Sequence, residues 1–231
     1  MEICGLNKTT LLDYPGRTAC TVFTGNCNFR CVFCHNSALV LSPALQEMIP
    51  EEDFFAFLDK RRGILQGVCI TGGEPTLMPD LSDFIKKIRS YSYPVKLDTN
   101  GYRPEVLRDL LEDKLIDMVA MDIKTDRDRY PLITGIKDLQ LKRLDESIEL
   151  LMKSGIEYEF RTTVVKEYFD EEAAENIGKW LKGAKCLYLQ QFKDGEGVMQ
   201  SGLHCALKED MEEYVKILSK YIDKVGLRGV D

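Results

Sequence analysis

Cys27, Cys31 and Cys34 stand within eight positions in the stretch CNFRCVFCHN, and they are three of the eight cysteines in the chain. A disulfide needs two thiols, and a closed zinc site needs four ligands. Thiolate sulfur is a soft donor that selects iron–sulfur clusters, zinc or copper(I). Three thiolates on one short loop can hold three corners of a [4Fe–4S] cube and leave the fourth iron open to a small molecule. His35 supplies the alternative, a structural zinc site with three cysteines and one histidine. Consecutive side chains point in different directions, so Cys34 and His35 are awkward joint ligands, and the spacing favours the open cluster. The other five cysteines, Cys4, Cys20, Cys69, Cys186 and Cys205, lie far apart and read as packing residues.

Five more short stretches carry chemically active residues. In TGGEP (71–75), Gly72 and Gly73 let a backbone approach a ligand closely, although Gly, Glu74 and Pro75 also suit a plain strand-to-helix turn. LDTNG (97–101) and MDIKT (121–125) each present an acid, Asp98 and Asp122. Two neighbouring carboxylates repel unless a cation or a proton sits between them; solvated or helix-capping acids are the alternative. Lys124 and Arg161 are cations in otherwise apolar runs. A buried charge is costly unless paired, so each is expected to face an anion, either a ligand or, for Arg161, an internal acid. LQQFKD (189–194) contributes Gln191 and Lys193. Asp13, in LDYPG, is at minimum a turn residue before Pro15 and Gly16.

Repeated alternation of strand and helix positions these residues. Apolar, β-rich runs at 18–23, 67–71, 94–98, 117–123, 157–165 and 185–191 alternate with helix-periodic stretches. Runs 67–71 and 117–123 are almost continuously apolar, as strands covered on both faces are. Pro and acids open the helix that begins at Pro50, and Lys beside Gly closes LMKSG and WLKG. Six successive βα units imply a mostly parallel sheet with outer helices. Six is two short of a closed barrel, so the expected fold is α/β, a partial (β/α)6 TIM-like barrel, with a doubly wound open sheet as the alternative. Each active stretch falls at the C-terminal end of a strand, where such folds place their sites. No linker divides the chain, which reads as one domain over 1–231: a lead-in at 1–17, a barrel core at 18–195 and a C-terminal extension with a helix at 196–231.

At 231 residues the chain can bury a core without staples, and its net charge of −7 argues against a nucleic-acid platform. It has no apolar run long enough for a transmembrane helix and no signal-peptide pattern. A cytoplasmic location with reduced cysteines is expected.

Cys27-x3-Cys31-x2-Cys34 with Phe33 before the last cysteine, followed by Gly72-Gly73-Glu74-Pro75, resembles the radical S-adenosylmethionine (SAM) superfamily. LDYPG, CHN, LDTNG and MDIK narrow the resemblance to activating enzymes of glycyl radical enzymes, over about residues 5–195. Within that group the chain looks most like the activase of anaerobic ribonucleoside-triphosphate reductase, with the pyruvate formate-lyase activase close. The resemblance implies one [4Fe–4S] cluster whose unique iron is chelated by SAM. Reductive cleavage would give a 5′-deoxyadenosyl radical that takes hydrogen from a backbone glycine of a partner protein. It also implies a flavodoxin- or ferredoxin-type electron donor. A small-molecule radical SAM enzyme, or a non-enzymatic metal or redox module, is the alternative. Carried over residue by residue, the resemblance puts SAM against Phe33, Gly72, Gly73, Glu74, Pro75, Asp98, Thr99, Asn100, Lys124 and Arg161. It suggests a monovalent cation at Asp98, Thr99, Asp122 and the Ala120 carbonyl, and substrate backbone at Asp13. The family's SAM-contacting His after the sixth strand is replaced here by Lys193 or Gln191. No ferredoxin-like cysteine run follows Cys34, so a single cluster is expected.

Overall fold

The computed structural model describes residues 1–230. Eight strands form one sheet in sequence order, β1 Ile3–Thr10, β2 Ala19–Thr24, β3 Gly67–Gly72, β4 Val95–Thr99, β5 Met118–Asp122, β6 Glu157–Val164, β7 Leu187–Gln191 and β8 Val225–Arg228. β1 pairs antiparallel with β2, and all later neighbours are parallel. The sheet does not close, because β1 and β8 have no partner on their outer edges. The result is a partial TIM-like barrel with helices outside.

The six expected strands are all present. β8 adds a seventh parallel strand inside the C-terminal extension, and the lead-in contains β1. The sequence VGLR is too short and too poor in β-branched residues to announce a strand by itself; its partner β7 supplies the template.

The helices are α1 Ser37–Leu41, α2 Glu51–Lys60, α3 Leu81–Ser90, α4 Pro104–Glu112, α5 Tyr130–Thr134, α6 Leu141–Lys153, α7 Glu171–Trp180 and α8 Lys208–Leu218. α3 buries Leu81, Phe84, Ile85 and Ile88, one stripe at helical spacing, and α7 is capped by Asp170, whose carboxylate accepts from the Ala173 N–H. α1 and α5 have only five residues each, below what periodicity can reveal.

Period-two alternation sorts the strands into two faces. Val95, Leu97, Val119, Met121, Phe160, Leu187 and Leu189 are buried against the helices. The opposite face is polar and points into the barrel, carrying Lys96 and Asp98 on β4, Asp122 on β5, and Glu159 and Arg161 on β6. Tyr14, packed with Ala19 and Met118, closes the end of the barrel where the parallel strands begin. No described helix is long and apolar enough to cross a membrane.

Candidate active site

At the C-terminal ends of the strands lies a cavity of about 310 Å³. All three clustered cysteines line it, with Phe33, Gly72, Gly73, Glu74, Asp98, Thr99, Asn100, Asp122, Lys124, Arg161 and Asp13. All eight cysteines of the chain are free thiols. Among the described residues no three His, Cys, Asp or Glu side chains close around a single ion; the thiols occupy the wall of a larger space.

The segment from Gly25 to Asn36 contains no regular element, so its backbone groups need outside partners. The end of β3 supplies the first set. Gly73 N–H donates to Thr24 O (2.9 Å) and Glu74 N–H to Asn26 O (2.7 Å), while Asn36 Nδ2 donates to Gly72 O (3.1 Å). A Cβ on Gly72 would stand 2.2 Å from Thr24 N, and one on Gly73 would stand 1.8 Å from Asn26 O. Gly72 also has φ +125°, closed to most side chains. The paired glycines were expected to admit a ligand; what they admit first is the backbone leading to Cys27. α5 supplies the second set, with Arg30 N–H donating to Thr134 O (2.9 Å) and Val32 N–H to Ile133 O (3.2 Å).

Glu74 is fully buried and ties two strand ends together. Its carboxylate accepts from Thr76 N–H (3.1 Å), Thr76 Oγ1 (2.5 Å), Thr99 Oγ1 (2.6 Å) and Asn100 N–H (2.7 Å). Burial raises its pKa despite these donors. Asn100 continues the chain toward Cys27: its Nδ2 donates to Asn28 Oδ1 (2.8 Å) and lies 3.8 Å from Cys27 Sγ, which also accepts from Phe29 N–H (3.3 Å). Asn28 Nδ2 is buried beside this thiol without a partner. Burial pushes Cys27 up to about 12 and Cys31 up to about 11, so metal-free thiols stay protonated at neutral pH and ligation must release protons.

Below the cysteines, Arg161 bridges the two acids. Its Nη1 donates to Asp98 (3.0 Å) and its Nε to Asp122 (3.0 Å). Lys96, 1% exposed, pairs with Asp98, and Lys124 Nζ pairs with Asp122 (2.9 Å). Burial alone would raise Asp122, but Arg161 and then Lys124 outweigh it and hold the carboxyl at about 2. Asp98 is likewise lowered, by Arg161 and then Lys96 against its burial. Burial opposes the charge on Lys124, and Asp122 holds it protonated. Protein cations thus pair with both Asp98 and Asp122, the acids expected to hold a monovalent cation. Ala120 lies mid-strand between Asp98 on β4 and Glu159 on β6, and it does not line the cavity.

Three other expectations move. Pro75 starts a short 3-10 turn, Pro75–Leu77, behind the cavity wall. Gln191 donates its amide to Ala206 O (2.8 Å), and it is Gln190, on the opposite face of β7, that lines the cavity with Thr163. Lys193 is absent from the lining; its backbone O accepts from His35 Nε2 (2.6 Å), so His35 presents Nε2–H to a carbonyl. Phe33 packs with Ile133, Val165, Phe192 and Leu203 at the rim. Asp13 accepts from Thr21 Oγ1 (2.5 Å) across the cavity floor. Sequence reading missed Lys96, Glu159, Gln190 and Arg228, whose guanidinium grips Glu159 through two bonds (2.8 and 2.7 Å). Strand alternation, counted from Asp98 and Arg161, would have placed the first two in the barrel.

The barrel is open at one seam and carries a cysteine-lined cavity at its strand ends. The family model of the radical SAM superfamily matches residues 21–178, and the chain belongs to that superfamily. A protein of Methanocaldococcus jannaschii, provisionally named a glycyl-radical enzyme activating enzyme, is 32% identical over 239 residues, covering 99% of this chain and 96% of its own. Among solved structures, Streptococcus suis SuiB bound to the precursor peptide SuiA superposes with a TM-score of 0.70 at 14% identity over 90% of this chain. This chain spans 48% of SuiB. A domain of a pyruvate-formate lyase-activating enzyme from Bacteroides vulgatus gives 0.57 at 17% identity, over 71% of this chain and 99% of that one. The family implies a [4Fe–4S] cluster and SAM, and the donor set suits them: three soft thiols on one wall, an unpartnered amide beside one of them, and a lysine held charged nearby.

Proposed function

We propose that this chain activates a glycyl radical enzyme, with anaerobic ribonucleoside-triphosphate reductase as the leading partner. Cys27, Cys31 and Cys34 hold the cluster in this reading. When bound, the cluster and SAM supply a carbon radical able to take hydrogen from an unactivated C–H bond. The chain's own residues position and shield it. Gly72 and Gly73 line the wall where the methionine part of SAM would lie, and Lys124 supplies a fixed positive charge for its carboxylate. Thr99 and Asn100 carry Glu74's rigidity to that wall, and Phe33 offers an apolar ring for the adenine. Asp13 lies across the floor, where a peptide backbone N–H would find an acceptor. An electron donor of flavodoxin or ferredoxin type and a cytoplasmic setting belong to the same proposal.

The carrying observation is that Asp13 and the three thiols line one cavity together with Gly72, Gly73, Asp98, Asp122, Lys124 and Arg161 from β3 to β6 and the loops at their ends. The full-length similarity to a protein provisionally named an activating enzyme supports the choice of a protein substrate. The test is anaerobic reconstitution with iron and sulfide, reduction and addition of SAM with the partner enzyme. A glycyl radical doublet by electron paramagnetic resonance, with 5′-deoxyadenosine released, is expected. 5′-Deoxyadenosine without a radical on any glycyl enzyme would exclude the activase reading and leave the superfamily chemistry standing.

A further inference from the structure

The segment after β7 meets the far end of the cysteine loop at four points. Met199 N–H donates to Cys34 O (3.2 Å) and Gln200 N–H to Val32 O (2.9 Å). His35 Nε2–H donates to Lys193 O (2.6 Å), and Ser37 Oγ donates to Gly197 O (2.7 Å). The end of β3 holds the backbone before Cys27 and, through Gly72 O, the side chain of Asn36, and α5 holds the residues on either side of Cys31. Neither reaches Cys34. We infer that residues 193–200 form a strap that positions Cys34, with Gly197 and His35 as its positioning residues, so that loading of the cluster depends on the C-terminal extension. This inference rests on the reading of Cys34 as a cluster ligand.

Two glycines in the strap provide an internal control. Neither has a positive φ, so alanine suits the backbone at both positions. A Cβ on Gly197 would stand 2.7 Å from His35 O, a backbone atom that cannot rotate away, whereas nothing lies within 4 Å of a Cβ on Gly195. Gly197→Ala therefore pushes the strap off the loop, and Gly195→Ala leaves it seated. His35→Phe removes the Nε2 donor while keeping a ring against Phe192, whose centroid lies 5.4 Å away.

The experiment has two arms on the full chain. In the cluster-free protein, amide hydrogen exchange reads Met199 and Gln200 directly. Gly197→Ala and His35→Phe should speed their exchange roughly fivefold or more, the effect of one net hydrogen bond, while Gly195→Ala matches the parent. After anaerobic reconstitution, iron per chain and the SAM-induced change in the cluster's electron paramagnetic resonance spectrum should fall in the first two variants and hold in the third. Faster strap exchange with unchanged iron and spectrum would overturn the positioning role. Unchanged exchange in Gly197→Ala would overturn the strap itself. A parent chain that takes up no iron, with a protected strap, would instead overturn the cluster assignment on which the role depends.

Discussion

Arg161→Met tests the charge network under the cavity. The guanidinium serves both Asp98 and Asp122 at 3.0 Å and is 14% exposed. Its loss leaves Asp98 with Lys96 and Asp122 with Lys124, so neither acid is orphaned. The expected cost is about 3 kcal/mol, the lower end for breaking a buried pair. The pH dependence has a definite sign. Asp122 is lowered from 3.8 to about 2 in the folded protein. That shift is worth roughly 2 kcal/mol, an upper bound because part of the side chain meets cavity water. This stability is fully present above 3.8 and lost as pH falls toward 2. Without Arg161 the carboxyl loses the largest charge that opposes its burial, so its folded pKa moves up and less of this stability remains. The gap between parent and variant should be full near neutral pH and narrow as pH falls from about 4 toward 2. Urea unfolding at a series of pH values measures it, with Arg161→Lys as a partial rescue that keeps the charge and loses the fork. A gap that is flat with pH, or below about 1 kcal/mol at neutrality, would refute the reasoning.

Gly73→Ala should displace the backbone before Cys27, since its Cβ would overlap Asn26 O; iron uptake should fall sharply while the circular dichroism of the barrel is retained. Glu74→Gln turns an acceptor of four donors into a group with a mismatched NH2. It should cost about 1–3 kcal/mol in urea unfolding, and an unchanged midpoint would count against its bracing role. Lys124→Ala should weaken SAM binding by about tenfold or more, as for a lost charge-assisted contact, with iron content unchanged; calorimetry on the reconstituted protein decides.

Much of this architecture is legible in the sequence because each parallel strand carries its apolar signature and ends in a polar motif. The sequence motifs put Cys27, Cys31, Cys34, Gly72, Gly73, Asp98, Asp122 and Lys124 at strand ends and Arg161 on a strand, and all line one cavity. Partner assignments were less legible. Whether Arg161 meets a ligand or an acid depends on the register of β5 against β6, which puts Asp122 beside Arg161. The motif after the sixth strand points to Gln191, whereas Gln190 lines the cavity, because a motif fixes positions and not faces; alternation along β7 decides that. β8 and α5 fall below the length at which periodicity speaks. The strap has no periodic signal at all, because its bonds are made mainly by backbone, and only the folded chain brings 193–200 to 32–37.

The way the cysteine loop is held bears on when it can work. Its three supports are the end of β3, α5 and the strap, and all of them follow it in the chain. A nascent polypeptide presents Cys27, Cys31 and Cys34 before any of these has been made, and the support for Cys34 emerges only after β7. Contacts so distant in sequence form late, once the intervening chain has closed its loops. The thiols are thus exposed to oxidation and to stray metals through most of synthesis. A correctly built site is a property of the nearly finished barrel, and cluster delivery belongs after folding.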